Sequence, residues 1–168
     1  NCQKGLSGIS FGNFLIKQVA NDLKFEFNNI KKFVTLSPVP GLRNWIKNKK
    51  PKFEMTLEKF KKSEQFLKVE STLMNCAGNY FLKSDRPDGM PNDPVARFHL
   101  GNGASLEQIN YLGDTSLNGL NLSGGLMVNY LYDLDKVEEN HEAYISENKL
   151  NISKNAKKDL IQYIEKDE

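Results

Sequence analysis

The run FVTLSPVPGL, residues 33–42, limits the fold of this chain more than any other segment. Its β-branched and aromatic residues predict a short strand, and Pro38 and Pro40 must end it, because proline donates no hydrogen bond to a sheet. Upstream, the glycine-rich turn GLSGISFG leads into a segment with helical spacing of apolar residues. These residues are Phe11, Leu15, Val19 and Leu23. Turn, helix and strand therefore follow one another as in an α/β protein.

The remaining segments predict further helices and strands. Residues 43–71 are rich in lysine and predict a helical insert, and residues 73–82 predict a more apolar helix. VARFHL, between Pro94 and GNG, predicts a strand that ends near His99, whereas SLEQINYLGD predicts a short helix. GGLMVNYLYDL has the clearest strand pattern, and the segment from Ser153 onward predicts a charged helix at the C-terminus.

Composition excludes several classes of protein. The chain of 168 residues has the length of one domain, and its hydrophobic content of 39% suffices for a core. The net charge of +2 favours neither nucleic acid nor an anionic membrane as a partner. No apolar run approaches the roughly 18 residues of a membrane span. Cys2 and Cys76 lie in no metal-binding or redox spacing, so reduced thiols are expected.

Two side chains at predicted strand ends are candidates for chemistry. Ser37 precedes a proline, which favours an extended backbone, and ligands of α/β proteins commonly bind at strand ends. The alternative is that Ser37 only begins a turn. His99 could act as an acid or a hydrogen-bond donor, or could be a structural histidine packed under a loop. His141, the second histidine, stands among acidic residues and is expected to be solvated.

The glycine-rich turn is a candidate anion site. Its backbone N–H groups and the positive end of the following helix could face a phosphate. The turn has neither the P-loop pattern nor the Rossmann spacing, so a plain tight turn is the alternative. The lysine-rich stretch 47–63 is better explained as a solvated helical face than as a phosphate or nucleic-acid site. No metal is expected, because the acids and histidines are spread along the sequence.

Four motifs in one order resemble the C-terminal catalytic domain of the malonyl-CoA decarboxylase family: GISFGNFLIKQV, FVTLSPVPGL, DPVARFHLGNGA and GLMVNYLYDL. The resemblance covers nearly the whole chain except the lysine-rich insert and the final helix. It implies the fold of the GCN5-related N-acetyltransferases, an α/β (α+β) class with a mixed sheet flanked by helices. Residues 1–168 would form the C-terminal part of that domain, incomplete at the N-terminus because Asn1 leaves no room for the preceding strands.

The resemblance also implies site residues. The family's serine before proline falls on Ser37 and the histidine of its FHLxNGA motif on His99, as catalytic residues that also bind substrate. A tyrosine near the family's active site falls on Tyr132. The pyrophosphate-binding turn of the family falls on Ser7, Gly8, Ile9, Ser10, Phe11, Gly12 and Asn13.

The implied reaction converts malonyl-CoA to acetyl-CoA and CO₂ in fatty acid metabolism. The thioester carbonyl takes up the electrons as an enolate, so no cofactor is needed and coenzyme A is only part of the substrate. His99 is expected to donate the proton and Ser37 to orient the malonyl group. A coenzyme A-dependent acyltransferase and a non-catalytic coenzyme A-binding module are the alternatives.

The same resemblance implies a homo-oligomer assembled through a helical N-terminal domain. Charge and hydropathy predict no nucleic-acid or membrane partner. The expected location is the bacterial cytoplasm, because the many Asn and Lys residues suggest an AT-rich bacterial genome, with the mitochondrial matrix as the alternative. The 168 residues alone are expected to be a poor enzyme, because the sheet would lack its preceding strands.

Overall fold

A computed structural model describes residues 11–63 and 69–164. This part of the chain forms eight helices and three strands. In chain order they are α1 (Phe11–Glu26), β1 (Phe33–Pro38), α2 (Leu42–Lys49), α3 (Pro51–Ser63), α4 (Glu70–Leu82), α5 (Pro94–Gly101), β2 (Ser105–Asn110), α6 (Leu117–Ser123), β3 (Met127–Tyr132), α7 (Val137–Glu147) and α8 (Lys154–Ile164).

The three strands form one sheet in the order β1-β3-β2. β1 and β3 are antiparallel along their whole length, so that Ser37 lies opposite Val128. β2 pairs with the other side of β3, also antiparallel. A single bridge from Leu106 to Ile152 has the parallel sense. The α+β class is thus confirmed, with the described strands themselves antiparallel.

The prediction of a strand at VARFHL was wrong, because Pro94–Gly101 forms helix α5. Asp93 caps this helix, its side chain accepting the backbone N–H of Ala96 at 2.8 Å. Proline fits the first helical turn, where its missing N–H has no intrahelical partner. The Asp-Pro pair is therefore a helix start, and the short run after it alternates too poorly to outweigh that signal.

The prediction of a helix at SLEQINYLGD was also wrong, because Ser105–Asn110 forms strand β2. Leu106 and Ile109, three positions apart, are both buried, which imitates the spacing of a helix. A register shift between Leu106 and Gln108 allows both to face the core from a strand. A bulge cannot be recognised from this spacing alone.

The lysine-rich region contributes to the core. Leu42 and Ile46 of α2 are fully buried, as are Leu57 and, nearly, Phe60 of α3. Many of the lysines between them lie on the exposed face. Helices α2 and α3 therefore close one side of the domain and bury apolar surface together with α4 and α6.

An ion cluster around the buried Arg43 joins these helices. Arg43 Nε donates to Glu54 Oε2 at 2.8 Å, and Arg43 Nη2 donates to Glu58 Oε1 at 2.5 Å. Its Nη1 donates to the Leu120 carbonyl at the same time, at 2.9 Å. One guanidinium thus connects α2 to α3 and α6.

The central strand β3 positions two tyrosines beneath the helices. Its buried side chains alternate, as expected for a strand with one face in the core: Val128, Tyr130 and Tyr132.

Helices α6 and α7 were not predicted. No helix in the described ranges is long and apolar enough to cross a membrane.

Candidate active site

Strand β1 brings Ser37 to the edge of the core. Phe33, Thr35 and Ser37 share one face, while Val34 and Leu36 project from the other and are exposed. Ser37 is only 6% exposed and donates its hydroxyl to Thr35 Oγ1 at 3.2 Å. The hydroxyl is therefore held in place, with its oxygen still able to accept a hydrogen bond.

Helix α5 delivers His99 to the same place. The ring is 7% exposed and stacks on Tyr130, with centroids 4.4 Å apart and planes 19° from parallel. Phe98 adds an edge contact at 5.1 Å. Aromatic contacts on two sides fix the plane of the imidazole and so the directions of both nitrogens.

Ser37, His99 and Tyr132 form a continuous hydrogen-bonded chain. His99 Nε2 lies 3.1 Å from Ser37 Oγ, and His99 Nδ1 lies 2.7 Å from the Tyr132 hydroxyl. The three residues come from β1, α5 and β3, and they are among the residues that the family resemblance implies for the site. We call these residues the relay.

The proton positions in the relay follow from its ends. Because the Ser37 proton is engaged by Thr35, we assign Ser37 Oγ as acceptor of the His99 Nε2–H. His99 Nδ1 then carries no proton and accepts the hydroxyl of Tyr132. All hydrogen bonds of the relay run in one direction, from Tyr132 through His99 to Ser37 and Thr35.

Burial keeps the relay neutral. Desolvation lowers the pKa of His99 to about 4 and raises the pKa of Tyr132 to about 12. At neutral pH the imidazole is therefore uncharged and the phenol is protonated. These are the forms in which a phenol donates to one ring nitrogen and the other nitrogen donates onward.

Comparison with known proteins identifies the family. The model of the malonyl-CoA decarboxylase C-terminal domain matches residues 1–168. The chain belongs to this family.

Curated relatives and solved structures agree with that family. The chain is 34% identical to mitochondrial malonyl-CoA decarboxylase of Anser anser anser, over 85% of this chain and 35% of that protein. It is 32% identical to the Mus musculus protein of the same name, over 90% of this chain and 37% of that protein.

Two bacterial malonyl-CoA decarboxylase structures resemble it. The Rhodopseudomonas palustris structure has a TM-score of 0.83 and 42% identity, over 95% of this chain and 40% of that one. The Agrobacterium vitis structure has a TM-score of 0.80 and 43% identity, over 98% of this chain and 43% of that one. The chain therefore spans less than half the length of these relatives.

The family's pyrophosphate-binding turn is only partly within the described residues. Positions 7–10, from Ser7 to Ser10, lie outside them. Phe11, Gly12 and Asn13 form the first turn of α1. The predicted role of the turn in binding substrate stays a prediction.

Sequence reasoning missed the residues that support the relay. Thr35 fixes the serine and Tyr130 supports the ring, as the alternation of β1 and β3 could have suggested. Asp93, only 1% exposed, caps the histidine's helix and also accepts the Tyr80 hydroxyl at 3.3 Å. Burial raises the pKa of Asp93, although the N–H groups of the helix act in the opposite direction.

The second histidine does not reach the relay. His141 was expected to be solvated, which was wrong. It is half-buried on α7, and its Nδ1 lies 2.6 Å from the carbonyl of Gly101. The acidic residues on both sides of His141 in the sequence gave no indication that this face of α7 packs against α5.

An apolar groove borders the relay. It has a volume of about 340 Å³ and lies between α1 and β1, with Thr35 and Tyr132 in its wall. Leu15 and Val19 of α1 contribute its apolar side and are 61% and 47% exposed. An apolar surface therefore lies next to Thr35 and Tyr132, beside the buried relay.

Proposed function

We propose that this chain carries the active-site residues of an enzyme that converts malonyl-CoA to acetyl-CoA and CO₂. The observation that carries the proposal is the buried, neutral relay of Ser37, His99 and Tyr132 in a member of this family. The names of the relatives, malonyl-CoA decarboxylases from animals and bacteria, support it.

The reaction requires the protein to position the substrate and to supply one proton. The bond between the malonyl carboxylate and the central carbon breaks, and its electron pair moves into the thioester as an enolate. That charge is favoured by a hydrogen-bond donor near the thioester oxygen and by a site that removes water from the carboxylate. The central carbon then takes one proton, giving acetyl-CoA.

His99 is the proposed proton donor. Its pKa of about 4 means that the proton comes from the Nε2–H of the neutral ring rather than from an imidazolium. Tyr132 can pass its proton to Nδ1 through the 2.7 Å hydrogen bond as Nε2 loses its own, and the starting form returns when Nδ1 gives this proton back to the phenolate and Nε2 takes one from solvent. The cycle takes up one proton from water for each CO₂ released.

Ser37 orients the malonyl group. A neutral hydroxyl is a poor base, and the malonyl carboxylate is already ionised at neutral pH, so there is no proton for it to remove. Its hydroxyl can instead turn from Thr35 towards the carboxylate while its oxygen remains on His99 Nε2. In this role Ser37 fixes the carboxylate beside the proton donor.

The remainder of the substrate would bind outside the relay. We assign the coenzyme A diphosphate to the predicted turn at 7–13, whose residues Phe11–Asn13 begin α1. The proposed chemistry needs no metal or organic cofactor, because the thioester itself accepts the electrons.

Location and assembly are part of the proposal. The animal relatives are named as mitochondrial, whereas the solved structures come from bacteria. We therefore assign the bacterial cytoplasm, or the mitochondrial matrix if the source is eukaryotic. Assembly into a homo-oligomer stays a prediction.

The test follows CO₂ and acetyl-CoA together in the intact protein supplied with malonyl-CoA. Equal amounts of the two products are expected, and the Rhodopseudomonas palustris protein serves as positive control. Acetyl transfer to an added amine without CO₂ release would favour an acyltransferase. Binding of coenzyme A without turnover would favour a non-catalytic module, and either outcome would overturn the proposal.

A further inference from the structure

Gly41 stands where the chain leaves the relay serine. It follows Ser37 by four residues and is the N-cap of α2. Its φ of −88° is allowed for every residue type, so backbone conformation does not require glycine here. A Ser, Thr, Asp or Asn in its place could in addition cap the helix, which Gly41 cannot do with a side chain. Glycine at this position therefore has another cause.

That cause is space. A Cβ atom on Gly41 would overlap the hydroxyl oxygen of Tyr80 and would lie 4.0 Å from Pro94 Cδ, at the start of α5. The backbone has little room to move away, because Val39 and Leu42 on either side of it are fully buried. The missing side chain thus allows the Tyr80 hydroxyl to contact the segment that follows β1.

The Tyr80 side chain is itself held in place. It is 3% exposed and packs between Trp45 and Phe81, with each pair of ring centroids 5.6 Å apart. Its hydroxyl donates to Asp93 Oδ2 at 3.3 Å, and Asp93 caps the helix that carries the relay histidine. A side chain at position 41 would therefore push against the beginning of α5 through Tyr80.

We propose that Gly41 is a positioning residue, because the contact of its backbone with the Tyr80 hydroxyl sets the distance between Ser37 and His99. Gly41 lies four residues after Ser37, and His99 lies six residues after Asp93, less than two turns along α5. Both connections are short, so a displacement at Tyr80 reaches the 3.1 Å contact of Ser37 Oγ with His99 Nε2.

The inference rests on the proposed function only for its consequence in catalysis. A longer distance would separate the hydroxyl that orients the malonyl group from the proton donor, and small errors in placement lower the rate of such reactions. The distance itself can be measured without substrate. Failure of this inference is therefore distinguishable from failure of the decarboxylase assay.

The experiment compares Gly41→Ala, Tyr80→Phe and the combined variant of the intact protein, by crystal structure and by turnover of malonyl-CoA. Gly41→Ala should lengthen the contact of Ser37 with His99 beyond about 3.5 Å. It should lower kcat about tenfold and change KM less than about threefold. Tyr80→Phe keeps the cap of α5 by Asp93, so its distance and kcat should stay near those of the parent.

The combined variant tests whether the hydroxyl is the obstacle. Without it, the Cβ atom of Ala would lie 3.5 Å from the ring carbon Cζ at position 80, an ordinary contact. The distance and kcat should therefore return to the Tyr80→Phe values, whereas a purely structural role of Gly41 would change stability without changing turnover per folded molecule. Gly101→Ala is the matched control in α5, because its Cβ would lie 3.5 Å from Tyr144 Cε1, and it should behave as the parent.

Two results with folded Gly41→Ala would overturn the inference. The first is an unchanged distance between Ser37 and His99. The second is a longer distance that persists in the combined variant, which would show that the Tyr80 hydroxyl does not transmit the effect.

The Tyr80→Phe background keeps the inference testable if Gly41→Ala alone does not fold. In that background Gly41→Ala should fold with a normal distance. Gly41→Val, which adds two methyl groups near Pro94, should lengthen the distance and lower kcat about tenfold. Failure of Gly41→Ala to fold without the hydroxyl, or a normal distance in folded Gly41→Val, would overturn the inference.

Discussion

The relay and the Arg43 cluster are both polar networks with a buried side chain at their centre, and they are built in opposite ways. The cluster consists of full charges, with Glu54 and Glu58 both bound by one guanidinium. The relay consists of neutral groups, and burial itself keeps His99 uncharged. The cluster engages its guanidinium in bonds to three residues, whereas the relay retains a hydroxyl that can change partner.

This difference means that the charged cluster is suited to stabilising the fold, whereas the neutral relay is suited to chemistry. Charge pairs that satisfy each other hold helices together, and breaking them leaves an unpaired charge in the interior. Neutral hydrogen bonds in a single direction contribute less to stability, but they can be redirected to a substrate at small cost. Each prediction below changes one part of one network and follows stability, turnover or both.

The largest effect is expected on turnover from His99→Asn. Loss of the proton donor should lower turnover by roughly two orders of magnitude or more, while malonyl-CoA still binds. Steady-state assays and a binding measurement on the intact protein give the two quantities. His141→Asn is the matched control and should behave as the parent. Turnover of the His99 variant within a few-fold of the parent would exclude His99 as the donor.

Arg43→Met should act on stability alone. It leaves the Glu54 carboxylate, only 16% exposed, without its cation, and should lower the free energy of unfolding by about 2 kcal/mol. Turnover per folded molecule should not change. Denaturant unfolding provides the comparison, with Lys59→Met, at an exposed lysine of α3, as control. Equal stability of the two variants would show that the cluster does not secure α2 and α3.

Ser37→Ala should show the reverse pattern. Without the hydroxyl that orients the malonyl group, turnover should fall about tenfold, since small errors in placement are costly. The free energy of unfolding should change by less than about 1 kcal/mol. Ser146→Ala, an exposed hydroxyl on α7, is the control. A large loss of stability with normal turnover would show that Ser37 only supports the turn after β1.

The smallest effect concerns pH. The pKa of His99 is about 4 in the folded protein and near 6.5 in the unfolded chain. The unfolded state therefore binds the proton first, and the stability due to neutral His99 is complete above pH 6.5 and is lost as pH falls towards 4. Between pH 6.5 and 5.5 the parent should lose about 1 kcal/mol more than His99→Asn. Parallel pH profiles of the two proteins would contradict the buried, neutral histidine.

Local sequence predicted one side of the relay better than the other. The strand that ends at Ser37 could be predicted, because two prolines mark its end and β-branched residues its course. His99 was identified as a site residue while its segment was assigned to a strand, since the helix depends on the Asp93 cap. The bulge in β2 likewise has no local signal, because Leu106 and Ile109 have helical spacing.

Neither the burial of the relay residues nor the direction of the hydrogen bonds between them could be predicted from the sequence. The pKa of His99 depends on stacking against Tyr130, which comes from a strand more than 30 residues later. The role of Tyr132 depends on the register of β3, which places its hydroxyl at Nδ1. The family resemblance located these residues, but only the packed structure shows which atom of each meets the next.

The most direct test of the central claim is a crystal structure of the intact protein with a malonyl-CoA analogue that carries a sulfonate in place of the carboxylate. The relay as proton donor predicts the central carbon within about 3.5 Å of His99 Nε2, the distance of a group ready to react. The sulfonate should accept the Ser37 hydroxyl. An acyl group bound away from Ser37 and His99 would contradict the account.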